Sequence, residues 1–179
     1  MEKFYKITIA GLTRELPICA VNDRLDIAAF VMFSDVEMTV KCAEALLKLA
    51  PDHDLIITAE SKGIPLAYEM AKQEGKNYIL ARKSPKLYMK NPIKIDVKSI
   101  TTSRVQTLYL DDADARLLNG KRVLIVDDVI STGESLHALE GLLLQTGASI
   151  VGKMAVLAEG DAADRKDIIF LEKLPLFFK

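Results

Sequence analysis

The sequence predicts an α/β fold in which helices flank an open, mostly parallel sheet. Two segments, residues 54–81 and 122–157, each have the order strand, turn, helix, strand. Parallel strands need such a crossover, and it is right-handed in nearly all proteins. The apolar run at residues 123–126 is typical of a strand that is buried on both faces. The chain has 179 residues, which is enough for one domain with a complete core.

A helix is predicted before the first crossover unit. Ser34 and Glu37 have the spacing of a capping box, and apolar residues then recur every three or four positions as far as Pro51. The unit itself is predicted as a strand at 54–59, a turn at 60–63, a helix at about 65–74 that ends at Gly75, and a strand at 78–81.

The second crossover unit begins with the apolar strand. It is predicted as a strand at 122–126, a polar turn at 127–133, a helix at about 134–146 that ends at Gly147, and a strand at 149–157. Between the two units, residues 93–98 alternate between apolar and charged side chains, which predicts a half-exposed strand. We expect it to pair with residues 104–110 as a hairpin, after an exposed loop at 83–91.

The chain ends fit the crossover pattern less well. Residues 1–30 and 158–179 are predicted to form a small hood over a core at about 31–157. Hood and core together make a single domain over residues 1–179.

Composition excludes several classes of protein. The chain is 50% hydrophobic and 27% charged, and its net charge is −1, which argues against disorder and against a general nucleic-acid surface. No apolar run approaches the roughly 18 residues that a membrane span needs, and no signal-peptide pattern is visible. Two cysteines without metal-ligand spacing favour a reducing, cytoplasmic setting.

Basic residues are concentrated in one segment. Residues 82–104 contain seven Lys or Arg and one acid, a net charge of +6, so the rest of the chain carries −7. A basic segment in an otherwise acidic chain indicates a local anion site.

The most specific pattern follows the second apolar strand. Asp127 and Asp128 precede a turn containing Ser, Thr and Gly, which opens a helix. In open α/β sheets, ligands bind beyond the carboxyl ends of strands. Main-chain N–H groups of residues 131–135 can bind a phosphate at the helix N-terminus, while the carboxylates accept hydrogen bonds from vicinal hydroxyls. The pattern predicts a ribose 5-phosphate site; the alternative is an ordinary strand-to-helix turn with acidic capping.

This segment resembles the phosphoribosyl pyrophosphate (PRPP) signature of the type I phosphoribosyltransferases. Over about residues 34–159 the chain is similar to the purine branch of that family, which includes adenine and xanthine phosphoribosyltransferases and PRPP-sensing purine repressors. The resemblance implies transfer of 5-phosphoribose from PRPP to a purine base in purine salvage, with release of pyrophosphate. It also implies a homodimer, and Mg²⁺ that PRPP carries without a dedicated protein metal site.

The resemblance implies a role for each matching residue. Asp127 and Asp128 would hold the ribose 2′- and 3′-hydroxyls, and together with Lys83 they are the predicted catalytic residues. Lys62 stands where the family usually has an arginine, so charge is kept but bidentate binding is lost. The implied substrate-binding residues are Ser131, Thr132, Gly133, Glu134 and Ser135 for the 5′-phosphate, Glu60, Ser61, Lys62 and Gly63 for pyrophosphate, and Arg82 and Lys86 in a flexible lid at 82–106.

The proton acceptor stays unassigned. Adenine phosphoribosyltransferases share a glutamate in the lid, but between Leu87 and Gln106 this sequence has a single acid, Asp96. Asp96 lies in the alternating strand, where a solvated hairpin face is its more ordinary role.

The choice of base depends on residues near the hood. Asn22 is predicted as a hood contact, and Glu159 stands where xanthine-specific relatives carry a lysine. A carboxylate accepts hydrogen bonds, which favours the 6-amino group of adenine. Xanthine, hypoxanthine, guanine and orotate are the alternative bases.

The alternative class of function is a non-catalytic PRPP sensor. Residues 103–107 resemble the repressors as much as the enzymes. Because no helix-turn-helix is predicted before Ser34, we expect an enzyme, with a sensor acting on a protein partner as the second hypothesis.

Overall fold

The computed structural model describes residues 3–98 and 105–179. Within these residues the strands are β1 (Phe4–Ile9), β2 (Leu12–Asn22), β3 (Leu25–Ala28), β4 (Leu55–Ala59), β5 (Tyr78–Ala81), β6 (Ile93–Lys98), β7 (Val105–Leu110), β8 (Arg122–Ile130), β9 (Ser149–Glu159), β10 (Ile169–Leu174) and β11 (Leu176–Phe178). The helices are α1 (Val36–Leu47), α2 (Ile64–Glu74), α3 (Asp112–Leu118) and α4 (Glu134–Leu144), and a short 3-10 helix follows β9 (Gly160–Asp164).

Five parallel strands form the large sheet, in the order β10-β9-β8-β4-β5. Leu124 and Val126 of the central strand β8 pack on one face with α1 and α2. Val123 and Ile125 pack on the other face with α4. The apolar run is therefore buried on both sides, and the predicted fold class is confirmed.

The chain ends form a second, antiparallel sheet in the order β1-β2-β3-β11. Its side chains Ile7, Ile9 and Leu16 pack on the same core as α1 and α2. One segment assigned to the hood lies elsewhere: β10 is an edge strand of the large sheet, parallel to β9. The reason is that Leu174 is buried against the large core.

Some predicted element boundaries are wrong. β8 continues to Ile130 because its pairing with β9 continues, so Asp127 and Asp128 lie in the strand and not in the turn. The cap of α1 is Asp35 instead of Ser34, since the Asp35 carboxylate accepts a hydrogen bond from the N–H of Met38 at 3.1 Å.

β6 and β7 form the predicted antiparallel hairpin. Leu108 and Leu110 are buried on the α4 side of the sheet, and the preceding loop at 83–91 is largely exposed, as predicted. Arg82 and Tyr109 exchange two main-chain hydrogen bonds of 2.9 and 2.8 Å. Residues 99–104, with Arg104 and part of the predicted lid, lie outside the described residues.

In the part of the chain that the structure describes, every helix is too short or too polar to cross a membrane.

Replacing Leu124 by Ala is expected to lower the free energy of unfolding by about 2–5 kcal/mol, because this fully buried side chain leaves a cavity in the central strand. Leu144→Ala is the control: Leu144 is 78% exposed, and its loss should change stability by about 0.5 kcal/mol or less. Urea unfolding with an unchanged m-value measures both variants. Equal losses would contradict the placement of β8 at the centre.

Candidate functional site

The large sheet has a topological switch point between β4 and β8. From β4 the chain passes through α2 to β5 on one side, and from β8 it passes through α4 to β9 on the other. Pairing of β4 with β8 ends at Ile57 and Ile125, although both strands continue. Such a point forms a ligand crevice at the carboxyl ends of the strands. Of the predicted site segments, residues 60–63 directly follow β4, and residues 127–135 include the last residues of β8 and the turn after it.

Asp128 places a buried carboxylate in this crevice. The residue is 2% exposed, and its Oδ2 lies 3.0 Å from Nζ of the half-exposed Lys62. Among the described residues Oδ2 has no aligned hydrogen-bond donor, so the Lys62 ammonium contacts it as an ion pair. A buried carboxylate oxygen without a hydrogen-bond donor can accept a hydrogen bond from a ligand hydroxyl.

Asp127 is coupled to its neighbour. Its Oδ1 accepts a hydrogen bond from the N–H of Asp128 at 2.9 Å. Burial, and next the charge of Asp128, raise the pKa of Asp127, whereas the Lys62 ammonium acts in the opposite direction. Asp127 therefore holds its proton to higher pH than an isolated aspartate does.

The turn after β8 forms a small cavity of about 110 Å³, lined by residue 127 and residues 129–136. Gly133 caps α4 with a φ of 80°, a conformation that favours glycine. Ser131 and Thr132 are exposed at its mouth. The positive end of the helix dipole favours an anion at this turn. Residues 131–135 thus have the geometry of a phosphate-binding loop.

Gly63 brings the loop after β4 against β8. A Cβ atom at Gly63 would collide with the hydroxyl of Thr58 and lie 2.9 Å from Oδ1 of Asp127. The peptide bond between Glu60 and Ser61 is cis. Only glycine permits such a close approach of the loop to β8. The loop therefore lies beside the paired carboxylates, and the Lys62 side chain extends from the loop to Asp128.

Glu60 connects the same loop to the start of the predicted lid. Its Oε2 accepts a hydrogen bond from the N–H of Lys83 at 3.0 Å, and its Oε1 lies 3.4 Å from Nη2 of Arg82. The ammonium of Lys86 instead donates to Oγ of Ser84 at 2.8 Å. The structure therefore brings Arg82 and Lys83 to the loop, and Glu60 acts as their partner.

Asp96 is held within the hairpin. Its Oδ1 accepts a hydrogen bond from the Thr107 hydroxyl at 2.6 Å, and Lys94 lies 3.6 Å away. The Thr107 hydrogen bond lowers the pKa of Asp96. These contacts support the ordinary role of Asp96 as a hairpin residue.

A larger cavity of about 660 Å³ lies between the hood and the carboxyl end of β9. Its hood side is apolar and is formed by Val21, Leu25, Ile27 and Leu176. Glu159 lines the other side, and burial raises the pKa of its carboxyl. An adjoining cavity of about 290 Å³ shares Ser131 and Glu159 and reaches Lys62. The largely apolar cavity is therefore continuous with a smaller one that reaches Lys62, the ion-pair partner of Asp128.

Asn22 is not brought to this cavity. Its amide oxygen accepts a hydrogen bond from the N–H of Arg24 at 2.9 Å in the turn between β2 and β3. A bulge between Ala20 and Asn22 shifts the register, and the preceding Val21 lines the cavity instead. The expected contact between Asn22 and a base is therefore not supported by its position.

Sequence reasoning missed Arg165, which follows the 3-10 helix and lines the larger cavity. Its position six residues after Glu159 matches no motif, and this segment was predicted only as part of the hood. The sequence offers one indication of its role: Arg165 is a basic residue close to Glu159, which was predicted to contact the base.

The fold and the crevice define an α/β domain with a phosphate-binding loop beside paired carboxylates. The chain belongs to the phosphoribosyl transferase domain family, whose model matches residues 37–174. The family predicted from the sequence is thus confirmed.

Similar proteins include both regulators and enzymes. The purine biosynthesis transcriptional repressor PurR of Bacillus subtilis (strain 168) is 31% identical over 113 residues, which cover 63% of this chain and 39% of the repressor. An adenine phosphoribosyltransferase of Rhodococcus jostii (strain RHA1) is 32% identical over 126 residues, or 70% of this chain and 69% of that protein. The crystal structure of an adenine phosphoribosyltransferase from Thermoanaerobacter pseudethanolicus shares the fold, with a TM-score of 0.68, 20% identity and 95% of each chain covered.

Asp127→Asn is expected to stabilise the protein increasingly as pH rises. The folded protein favours protonated Asp127, because its pKa is raised above that of the unfolded chain. Wild-type stability from this group is therefore present at acid pH and is lost as pH rises through the raised pKa. Melting temperatures at pH 5 and pH 8 measure the difference between variant and wild type. Asp164→Asn, at an exposed position, should show no such trend, and a trend of opposite sign for Asp127→Asn would contradict the burial of this pair.

Proposed function

We propose that this chain is a Mg²⁺-dependent purine phosphoribosyltransferase, which acts in salvage as a cytoplasmic homodimer and favours adenine. The observation that carries the proposal is the phosphate-binding loop at 131–135 beside Asp127 and Asp128, at the mouth of an apolar cavity. These three features match the phosphate, the diol and the base of a purine nucleotide. The family of the chain and its adenine-specific relative support the same reaction.

Each part of the crevice has a task in the reaction. The loop binds the 5′-phosphate of PRPP, and Asp127 and Asp128 accept hydrogen bonds from the ribose hydroxyls, which fixes C1′ against the base. Positive charge develops on the ribose ring as the bond to pyrophosphate breaks, and the nearby carboxylate of Asp128 stabilises it. Lys62 and Lys83 neutralise the leaving pyrophosphate, since both lie on the segments that border the crevice.

The carboxylates of the crevice fit a metal ion that enters together with the substrate. Within residues 3–98 and 105–179, no group of three or more His, Cys, Asp or Glu side chains could hold an ion alone. Mg²⁺ keeps several waters and commonly binds substrate phosphates with one or two carboxylates, a number that Asp127 and Asp128 can supply. When bound, the ion supplies charge neutralisation to pyrophosphate.

The base cavity favours adenine through Glu159. This carboxyl lies beside the apolar hood residues, and burial raises its pKa. Its oxygens accept a hydrogen bond from an exocyclic amino group, whereas an oxo group in the same place would leave this half-buried carboxylate without a donor.

A PRPP sensor is the second candidate function. The similarity to the PurR repressor favours it, as does the position of Asp96, which contacts Thr107 and Lys94 within the hairpin. A sensor would bind PRPP in the same crevice without turning it over.

The two functions are separated by measuring pyrophosphate release from PRPP and Mg²⁺ with adenine, xanthine, hypoxanthine, guanine or orotate. We expect release with adenine, and Asp128→Asn should lower kcat/KM by about 100-fold or more because a buried charge that contacts the ribose is lost. The exposed Asp164→Asn is the control. Binding of PRPP without release with any base would support the sensor and overturn the enzyme.

Glu159→Gln is expected to raise KM for adenine about tenfold and to leave KM for PRPP unchanged, because an amide is a weaker acceptor than a carboxylate for the 6-amino group. Steady-state kinetics with each substrate varied in turn give both constants. Glu172→Gln, on the exposed side of β10, is the matched control. An unchanged adenine KM in Glu159→Gln would remove the argument for adenine.

A further inference from the structure

Arg165 is a rigidly held cation in the wall of the base cavity. Its Nε and Nη2 donate to Oδ1 and Oδ2 of Asp167 at 2.9 and 2.7 Å, a bidentate pair. Lys153 also contacts Asp167 at 2.6 Å and Glu140 of α4 at 2.8 Å, so the carboxylate is anchored to the helix. Bidentate pairing restricts the guanidinium plane to a defined orientation.

The remaining nitrogen of this guanidinium lies against the phosphate-binding loop. A Cβ atom on Gly133 would be 2.9 Å from Nη1 of Arg165. Glycine at 133 therefore has a second role besides its positive φ, since any side chain would push Arg165 away. Asp167 occupies the Nε edge, so the Nη1 end of the fork lies against the loop, and Arg165 as a whole lines the larger cavity.

Arg165 also complements the other polar groups of the cavity. Three of the described lining residues are acids (Glu134, Glu159 and Asp161), and three can both donate and accept (Ser131, Thr132 and His137). Arg165 differs from all of these because it is always charged and only donates hydrogen bonds. A purine presents both kinds of group: an exocyclic amine that donates, and ring nitrogens that accept. Glu159 can accept a hydrogen bond from the exocyclic amine. The ring nitrogens need a hydrogen-bond donor that is held in a fixed position.

We propose that Arg165 is a specificity-determining residue that donates a hydrogen bond from its guanidinium to a ring nitrogen of the purine. The proposal rests on the proposed function, because it assigns the cavity to the base of that reaction. Asp167 is then a positioning residue, which holds the guanidinium in the orientation that the base requires.

The test combines variants of Arg165 with adenine analogues that lack one ring nitrogen each, namely 1-deaza-, 3-deaza- and 7-deazaadenine. For the wild type we expect one analogue to bind about tenfold more weakly than adenine, since a site built to donate to that nitrogen loses its partner. Arg165→Met should weaken adenine by a similar factor and abolish the difference between adenine and that analogue. Arg165→Lys should recover part of the affinity, and Asp167→Asn should weaken adenine less than Arg165→Met does.

Lys166→Met is the matched control, because it removes an exposed cation from the adjacent position. A rise in KM for PRPP with an unchanged KM for adenine in Arg165→Met would overturn the proposal and assign Arg165 to support of the phosphate-binding loop. Analogue losses that persist unchanged in Arg165→Met would also overturn it.

The failure of this inference is distinguishable from failure of the proposed function. If no base releases pyrophosphate, the proposed function fails, and calorimetric binding of adenine and the three analogues then tests Arg165 directly. Weaker binding of one analogue that depends on Arg165 supports the inference even then, and the absence of any purine binding overturns it.

Discussion

Two adjacent carboxylates at the end of the central strand are the constraint on which the crevice depends. Burial raises the pKa of Asp127, and the apolar cores on both faces of β8 cannot compensate for its charge. The compensation comes from Lys62 on the neighbouring loop, which approaches closely because residue 63 is glycine. Glu60 fixes that loop to the start of the lid. Carboxylates, loop and lid base are therefore one connected unit.

The parts of this unit that are local in sequence could be predicted from it. Apolar periodicity located the helices and strands of the core, and the spacing after Asp127 located the phosphate-binding loop. What could not be predicted depends on contacts between distant segments. The bulge in β2 shifts the register at Asn22, so that Val21 lines the cavity. β10 joins the large sheet with Leu174 buried, and Arg165, after the 3-10 helix, lies against Gly133 of the loop.

The same geometry accounts for the presence of both an enzyme and a repressor among similar proteins. In the proposed function, the loop at 131–135 and the paired carboxylates alone bind phosphate and ribose. Turnover additionally needs a group that takes the proton of the base, and Asp96 is bound to Thr107 in the hairpin. Binding and catalysis therefore make separate demands on this fold, and evolution can change one without the other.

The main-chain pairing of Arg82 with Tyr109 also protects the sheet from association with other chains. β5 is an edge strand, and exposed edges offer N–H and C=O groups to foreign strands. The hairpin lies against the end of that edge, while the opposite edge, β10, carries the exposed charges of Glu172 and Lys173, which discourage strand addition. Loss of the Arg82–Tyr109 pairing would uncover the end of β5, so this one contact between the hairpin and the sheet also limits how much edge is offered to foreign strands.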